Sequence, residues 1–433
     1  MREGWKDTEL GLIPVDWEQS ILSEYAEKPQ YGFTDSSSNS GNAKFLRITD
    51  ITDTGVNWND VPYCNCPDVD KYKLVDGDIV FARIGATTGK SYIIKNPPKA
   101  VFASYLIRVR TRSKLLSDYL IYFFNSEYYW EQINSQKGNN LKGGVNGSIL
   151  SDLKIIVPPT PEQRKIAYVL STVQKAIEQQ DKLIRHTTEL KKALMQKLFT
   201  EGIGWLSGAE TRQKQTEIGQ VPESWEVKSI GDCLEKTKLK DPTKHPNEEF
   251  IYVDVSSVNN ELFKVTEATK LLGKDAPSRA RKLIQTDDVI FATVRPTLKR
   301  IAKITEDLNN QVCSTGFCVL KPIKSKLNTE FLYQYLQMDD FIARIEKLQR
   351  GASYPAVRDS DVKGMKIPIP KYNEQVLIGN YLKTLDLKKN LANSKKQTLS
   401  DLFKTMLHEL MTGERRVHEI EFEKVSEPLM MND

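Results

Sequence analysis

The chain presents one plan twice, and this internal repeat constrains its fold more than any other feature. Residues Glu9–Glu18 return as Glu217–Glu226, with glutamate, glycine, proline, tryptophan and glutamate at matching positions. The period is roughly 210 residues, far longer than the roughly 20 to 50 residues of solenoid or propeller repeats. A unit of that length can bury a hydrophobic core of its own. The repeat therefore predicts two similar domains rather than an array of small modules.

Each copy closes with a long charged segment that opens on Glu-Gln and carries apolar residues at helical spacing. The pattern predicts one helix from Pro161 to about Thr200 and a second from Asn373 to about Leu410. A straight helix of about forty residues spans about 60 Å, too long to pack wholly on one small domain. Two such helices can bury their apolar stripes on each other as a coiled coil. The pattern itself leaves parallel and antiparallel pairing open.

The globular part of each copy mixes short strands with helices, which predicts an α+β fold. Strands are predicted at 45–49, 78–83, 105–110 and 154–157. Tyr, Phe and Leu at helical spacing predict a single helix from Ser117 to about Ile133. Clustered Gly and Asn then predict a long flexible loop over Gly138–Gly147. The whole chain divides into globular domains at 1–158 and 209–370, long helices within 159–208 and 371–413, and a charged tail at 414–433.

Composition excludes few functions. The 433 residues are 39% hydrophobic and 27% charged, as in an ordinary soluble globular protein. A net charge of +5 is mild for this length and permits a polyanionic partner without arguing for one. No apolar run approaches the roughly 18 residues of a membrane span, and the N-terminus lacks a signal-peptide core, so we expect a cytoplasmic protein without membrane contact.

Motifs that would carry chemistry are weak. Gly85–Ser91 resembles a phosphate-binding loop but has three residues between its glycines where four are needed, and a strand follows it. Asn96–Lys99 resembles an amino-methyltransferase motif whose aromatic residue is replaced by lysine, so a proline turn is the better interpretation. Cys64 and Cys66 have no second pair at metal-ligand spacing. We therefore expect no catalytic residues, no metal and no cofactor.

Basic residues recur at comparable places in both halves. They flank the Gly85–Gly89 turn and its second-half counterpart, and they lie in the loops after the predicted helices. Such side chains suit phosphate contacts and base-edge readout, although any solvated loop has a similar composition. Repetition at equivalent points favours the functional interpretation. The candidate DNA-binding residues are Arg83, Lys90, Lys137, Asn139, Asn140, Lys142, Arg295, Lys299, Arg300, Arg350, Ser353, Tyr354 and Arg358.

Five segments together, arranged along the chain in the family's order, resemble the specificity subunit of type I restriction-modification systems over essentially the whole chain. They are Ile13–Glu18, its repeat Val221–Glu226, the strand-turn Gly77–Arg83 with Gly85 and Gly89, Ile156–Gln163, and the helix end Lys197–Gly202. The resemblance implies two target-recognition domains, each reading one half of a split sequence in double-stranded DNA. It also implies two antiparallel spacer helices, an internal pseudo-twofold repeat, two methyltransferase subunits docked on the chain, and restriction-translocase subunits that join the complex.

A rod of about 60 Å suits half-sites one or two duplex turns apart, at about 34 Å per turn. The rival interpretation is a coiled-coil scaffold protein without DNA contact, and a lesser one is a standalone methyltransferase. The second copy departs from the first at the basic turn, where Thr293 aligns with Arg83 and Arg295 with Gly85. If these turns read bases, the two domains should read different sequences.

Overall fold

The computed structural model describes residues 3–52, 55–139, 144–207 and 212–419. The chain forms two compact units: unit 1 holds residues 1–180 and 395–433, and unit 2 holds residues 181–394. Each unit contains one globular part and a portion of both long helices.

Unit 1 is built from short strands and mostly short helices. Its strands are β1 (Trp5–Thr8), β2 (Gly11–Pro14), β3 (Glu18–Ile21), β4 (Gln30–Tyr31), β5 (Ala43–Leu46), β6 (Ile51–Thr52), β7 (Gly55–Val56), β8 (Tyr63–Cys64), β9 (Ile79–Ala82), β10 (Ser91–Ile93), β11 (Ala100–Phe102), β12 (Leu106–Val109) and β13 (Lys154–Val157). Its helices are α1 (Leu22–Tyr25), α2 (Val69–Tyr72), α3 (Ser117–Phe123), α4 (Glu127–Asn139), α5 (Gly147–Ser151), the start of α6 (Thr160–Glu201) and the end of α10 (Tyr372–Thr412).

The central strand of unit 1 is β9, in an antiparallel sheet of order β10-β9-β12-β4. All four residues of β9 are buried, because both faces of the strand are covered. Phe81 packs into the core with the helices, whereas Val80 packs into a second cluster on the other face. Strands covered on both faces read as continuous apolar runs rather than alternating ones. The predicted strands at 78–83, 105–110 and 154–157 correspond to β9, β12 and β13. The strand predicted at 45–49 is misplaced, because β5 ends at Leu46 and a 3-10 helix occupies Ile48–Asp50.

The helix predicted from Ser117 to Ile133 is wrong as a single element. Two helices, α3 and α4, occupy this segment with a break between them. Asn125 Nδ2 donates to the Ile121 carbonyl and Ser126 Oγ donates to the Phe123 carbonyl. Such local side-chain bonds satisfy the last carbonyls of α3, so they compete with helix continuation. The spacing of apolar residues does not reveal these hydrogen bonds, so it could not predict the break between α3 and α4.

The loop predicted over Gly138–Gly147 is shorter than expected. Helix α4 continues to Asn139, and Gly147 is the first residue of α5. Asn146 caps α5 by accepting a hydrogen bond from Ile149 N on its side-chain oxygen, which is a common use of Asn at a helix start. Residues 140–143 lie outside the described part of the chain.

Unit 2 repeats this mixture of elements. Its strands are β14 (Gln213–Thr216), β15 (Gly219–Pro222), β16 (Glu226–Ser229), β17 (Glu249–Val253), β18 (Val258–Asn259), β19 (Lys264–Val265), β20 (Thr269–Leu272), β21 (Ala280–Ile284), β22 (Val289–Ala292), β23 (Ile301–Lys303), β24 (Gln311–Ser314), β25 (Phe317–Leu320) and β26 (Lys366–Ile369). Its helices are the end of α6, then α7 (Thr329–Tyr335), α8 (Asp339–Glu346), α9 (Asp359–Gly364) and the start of α10 (Tyr372–Thr412).

The two units share their strand pairings. Strand β22 lies between β23 and β25 as β9 lies between β10 and β12, and Val289 faces Leu320 as Ile79 faces Val109. Strand β24 runs parallel to β17 as β11 runs parallel to β5. The first and last strands of each globular part also pair, β3 with β13 and β16 with β26. These pairings recur in both copies, whereas the sheet of β9 has β4 as a fourth strand and the sheet of β22 has three strands.

The two long helices are present at the predicted places. Helix α6 has 42 residues and α10 has 41. Gly202 and Gly413, just past their ends, have φ values of +73° and +76°. A left-handed residue after a helix is the usual place for glycine, because a Cβ is strained there. A Cβ at Gly413 would also lie 2.6 Å from Pro14 Cγ, so this position requires glycine on packing grounds as well.

The Glu-Gln pair that opens each long helix joins it to its globular part. The Gln163 side chain is fully buried, accepts a hydrogen bond from Leu116 N at 2.9 Å and donates to Pro158 O at 2.8 Å. Gln375 makes the same contacts with Asn328 N and Pro370 O, at 2.7 and 3.0 Å. With a further bond to Lys114 O or Lys326 O, each glutamine satisfies three backbone groups at the joint.

The preceding glutamate binds the repeated tryptophan. The buried Trp17 indole Nε1 donates to Glu162 at 2.8 Å, and the buried Trp225 Nε1 donates to Glu374 at 3.1 Å. The sequence match between Glu9–Glu18 and Glu217–Glu226 is thus part of a joint between a globular part and its long helix.

Candidate nucleic-acid interface

The basic turn of unit 1 follows β9 directly. The exposed residue Arg83 donates its backbone N–H to Tyr105 O at 3.0 Å, and its carbonyl accepts from Val145 N at 3.0 Å. These two bonds hold the backbone of Arg83 from both sides. The turn then runs through Gly85 and Gly89 to the exposed Lys90 and enters β10. A strand rather than a helix follows this turn, as the sequence predicts.

An exposed tyrosine accompanies Arg83. The Arg83 guanidinium carbon lies over the Tyr31 ring, 5.0 Å from its centroid. Tyr31 belongs to the edge strand β4, and its hydroxyl accepts a hydrogen bond from Gly147 N at 2.9 Å. The ring is therefore held at its base by the sheet and at its tip by the first amide of α5. It is still 39% exposed.

The basic turn of unit 2 follows β22. Arg295 has a φ of +47°, in the left-handed region that a non-glycine residue enters at an energetic cost. Its backbone N–H donates to Pro355 O at 2.7 Å, and Val357 N donates to Thr293 O at 2.9 Å. Strained residues persist where the surrounding structure fixes them, and they cluster at functional sites. The loop at 350–357 is what fixes Arg295.

That loop also supplies a tyrosine. The Arg295 guanidinium carbon lies 5.0 Å from the centroid of the Tyr354 ring, which is 72% exposed. An exposed arginine–aromatic contact stabilises a protein by only about 0.5–1 kcal/mol. Both units thus place an arginine on an exposed tyrosine beside the turn that leaves the central strand. The tyrosines come from different elements, an N-terminal edge strand in one unit and a loop after α8 in the other.

Two of the candidate residues are engaged inside the protein. The Lys299 ammonium pairs with Asp339 at 2.5 Å and donates to Gln337 O. The Arg300 guanidinium donates to the carbonyls of Val255, Ser256 and Val258. Both cations hold unit 2 together, so we leave them out of the proposed interface.

Arg300→Ala should destabilise unit 2, whereas Arg295→Ala should leave its stability nearly unchanged. The first change removes three hydrogen bonds from a charged donor, and about 2 kcal/mol of unfolding free energy is the expected loss. The second removes a side chain that lies over the exposed Tyr354 ring and makes no hydrogen bond or ion pair with a described residue. Urea unfolding followed by Trp fluorescence measures both variants. Equal losses would show that Arg295 is as structural as Arg300.

The remaining candidates fall into two groups. Lys90, Ser353, Tyr354 and Arg358 are exposed, and Arg350 is exposed but paired with Asp361 at 2.5 Å. The side chains of Lys137 and Asn139, together with all of Asn140 and Lys142, lie outside the described part of the structure.

Sequence reasoning missed Tyr31 and Tyr105 beside the unit 1 turn. Tyr31 is more than fifty residues from Arg83 in sequence and reaches it through the pairing of β4 with β12. Tyr105, whose carbonyl accepts from Arg83 N, is 56% exposed. A signal was available in principle, because large exposed aromatics in a sheet need a reason, but exposure is not visible in a single sequence.

A buried carboxylate lies at the opposite end of each central strand. Asp78 is fully buried, accepts from Val75 N, and receives two hydrogen bonds from Arg110 at 2.7 and 2.9 Å. Asp288 occupies the matching place and accepts from Gln285 N at 2.8 Å. The residue aligned with Arg110 is Lys321, which turns instead to Gln285 and Glu235. Burial without an ion pair raises the pKa of Asp288 to about 6.

Other chemistries find no support in the described ranges. Across them, no group of three or more His, Cys, Asp or Glu side chains is placed to bind a metal ion. The five cysteines are buried and form no disulfide bond. No helix in the part of the chain that the structure describes is both long and apolar enough to cross a membrane.

The fold defines a protein with two similar globular parts, each of which carries a basic turn after its central strand. Comparison with known sequences identifies the family. The family described as the type I restriction modification DNA specificity domain matches this chain twice, over residues 14–185 and 222–401. The chain belongs to this family. It is a type I restriction-modification specificity subunit, and its role is DNA target recognition. The alternative interpretation, a coiled-coil scaffold protein without DNA contact, is therefore not favoured.

Relatives of similar length carry the same description. The putative type I restriction enzyme MjaX specificity subunit of Methanocaldococcus jannaschii is 27% identical over 432 residues, covering 96% of this chain and 97% of that protein. The MjaVIII specificity subunit of the same organism is 26% identical and covers 80% of this chain and 81% of that protein. The S subunit of a type I system from M. genitalium has a TM-score of 0.61 at 16% identity, over 91% of this chain and 96% of that one, which shows a shared fold.

Proposed function

We propose that each globular part reads one half of a bipartite sequence in double-stranded DNA. The observation that carries this proposal is the basic turn after the central strand, which recurs in both units on the same topology but with different residues around it. Arg83 and Arg295 are exposed, and neither donates a side-chain hydrogen bond to a described residue. Free guanidinium groups held at a fixed place are suited to phosphate or base contacts.

We further infer that α6 and α10 pair as an antiparallel coiled coil that acts as a spacer, giving the chain a pseudo-twofold repeat. In unit 1 the start of α6 and the end of α10 share one core, through Ile166 and Leu170 with Leu410 and Met411. In unit 2 the end of α6 and the start of α10 share another, through residues that include Leu198 and Leu382. This reversal of order is what antiparallel pairing requires.

The chain itself is proposed to be non-catalytic, to act in the cytoplasm without a cofactor, and to position other subunits. Two methyltransferase subunits would dock on it, one for each half-site, and restriction-translocase subunits would join that complex. A mild net charge of +5 supports this division, because a subunit that shares DNA with partners needs fewer cations of its own. The domain limits at 1–158, 159–208, 209–370, 371–413 and 414–433 remain part of the proposal.

Competition gel shifts test this function. The chain is mixed with its methyltransferase subunits and a labelled genomic fragment library, and bound fragments are sequenced. The expected result is enrichment of one split motif with a fixed gap. Enrichment with the methyltransferase subunits alone, without this chain, would show that specificity lies elsewhere. Absence of sequence preference in every combination would overturn the proposal.

A further inference from the structure

We propose that the Arg83–Tyr31 and Arg295–Tyr354 pairs are specificity determinants, and that each arginine reads a guanine in its own half-site. This inference rests on the proposed function and names the reading element within it. The pairs are the feature that the two units share at the basic turn even though their sequences there differ.

The two guanidinium groups differ from those of several arginines near the sheets in having no hydrogen-bond acceptor among the described residues. Two arginines at β12 in unit 1 are committed to protein acceptors: Arg108 donates to Lys73 O and Gln30, and Arg110 to Asp78. Arg300 and Arg344 are committed in the same way in unit 2. Within the described residues, the side chains of Arg83 and Arg295 each lie over a tyrosine ring and make no hydrogen bond or ion pair. Their donors are free for a ligand.

The contact between each arginine and its tyrosine ring has a geometry that suits base readout. A ring under a planar guanidinium occupies one face of the cation and leaves its in-plane N–H donors open. Those donors match the paired O6 and N7 acceptors that guanine presents in the major groove. The tyrosine also limits the rotamers of the arginine before DNA arrives, so less conformational entropy is lost on binding. A contact with a phosphate group would need neither the tyrosine ring beside the arginine nor a fixed orientation of the guanidinium.

The backbone of each of the two arginines is held in place by the surrounding structure. Arg83 is clamped between Tyr105 O and Val145 N, and Arg295 is kept in a left-handed conformation by Pro355 O. Each platform is fixed by a different element, Tyr31 by β4 and Gly147, Tyr354 by the loop at 350–357. The two units thus carry the same arginine–tyrosine pair on different structural elements. This difference lets two copies of one fold place an arginine against a guanine with different neighbouring bases.

The test uses the chain in complex with its methyltransferase subunits. The wild-type target is first obtained by mapping methylated adenines, and methylation rates are then measured on duplexes with single base-pair changes through both half-sites. Arg83→Ala should reduce discrimination at one G·C pair of one half-site by about 10- to 100-fold, and Arg295→Ala should do the same in the other half-site. Discrimination at all other positions should be retained.

Matched controls remove the same charge at the other end of each sheet. Arg112 and Lys324 are exposed there, and Arg112→Ala and Lys324→Ala should leave every position unchanged. Tyr354→Phe keeps the ring and should behave as wild type, whereas Tyr354→Ala should resemble Arg295→Ala. Because Tyr354 is largely exposed, both variants are expected to fold, and urea unfolding verifies it.

The outcomes separate the two proposals. A wild-type complex without a split target would overturn the proposed function itself. A split target with unchanged discrimination in Arg83→Ala and Arg295→Ala would overturn only the guanine-reading inference. A uniform loss across all duplexes, with the same base preferences, would identify these arginines as phosphate contacts and would also overturn it.

Discussion

Asp78→Asn is expected to destabilise unit 1 by about 3 kcal/mol, whereas Asp288→Asn is expected to stabilise unit 2 at pH 8 by about 1–2 kcal/mol. The two aspartates occupy the same place before the central strand. Asp78 is ion-paired with Arg110, and replacing it with an amide leaves that guanidinium without its bidentate partner. Asp288 is buried without an ion pair to any described residue, and its carboxylate is costly when ionised. Asparagine keeps the acceptor for Gln285 N and removes the charge.

The effect of Asp288 on the stability of unit 2 should also depend on pH, in a direction that follows from its pKa. Burial raises the pKa of Asp288 to about 6 in the folded chain, above its ordinary value of 3.8. The folded state therefore binds the proton more tightly, so the stability of wild-type unit 2 should fall as pH rises from about 4 to about 6 and then level off. The gain from Asp288→Asn should be present above pH 6 and vanish near pH 4. Hydrogen exchange measured on peptides containing 79–82 and 289–292 reports each unit separately, and the unaffected unit is the control in each variant. Equal effects of the two substitutions would contradict the assigned roles.

Glu162→Ala is the second large effect, with an expected loss of about 3 kcal/mol in unit 1. Glu162 accepts from Trp17 Nε1 at 2.8 Å and from Arg416 at 2.8 and 2.9 Å. Removing the carboxylate leaves a buried indole N–H unpaired and removes two hydrogen bonds that the Arg416 guanidinium donates. Among the described residues of unit 2, the matching Glu374 accepts only from neutral N–H groups, those of Trp225 and Ile203, so Glu374→Ala should cost about 2 kcal/mol.

Urea unfolding measures both variants, and Glu189→Ala, on an exposed position of α6, is the control that should change nothing. Hydrogen exchange at 413–419 should rise in Glu162→Ala, because Val417 is buried beside this joint. The hydrogen bonds from Arg416 lower the pKa of Asp16 below its ordinary value. Their stabilising effect is therefore present above that value and should disappear as pH falls through the lowered pKa. Unchanged exchange at 413–419 would mean that Glu162 does not secure this segment.

The sequence predicts well those features that local pattern determines. The buried runs of β9 and β22, the long helices and their glycine ends follow from apolar periodicity and backbone conformation. The repeated tryptophan and the Glu-Gln pair were visible as a repeat, but their contact was not, because Trp17 and Glu162 lie far apart in the chain. Their joint shows why the repeat persists at those positions.

The candidate site was predicted less completely for a physical reason. Basic composition does not reveal whether a cation has an internal partner. Lys299 pairs with Asp339 and Arg300 with three carbonyls through contacts that depend on tertiary structure. Tyr31 reaches Arg83 only because β4 joins the edge of the sheet that contains β9. The arginines themselves were identifiable, since each follows a continuous apolar run at a turn.

The most direct measurement is methylation mapping of a host that carries this chain with its methyltransferase subunits, repeated with the globular part of unit 2 exchanged for that of a relative. Our account predicts a split motif with a fixed gap, of which the exchange alters one half and leaves the other half unchanged. A continuous motif, or an exchange that changes both halves together, would contradict the claim that each unit reads one half of the target.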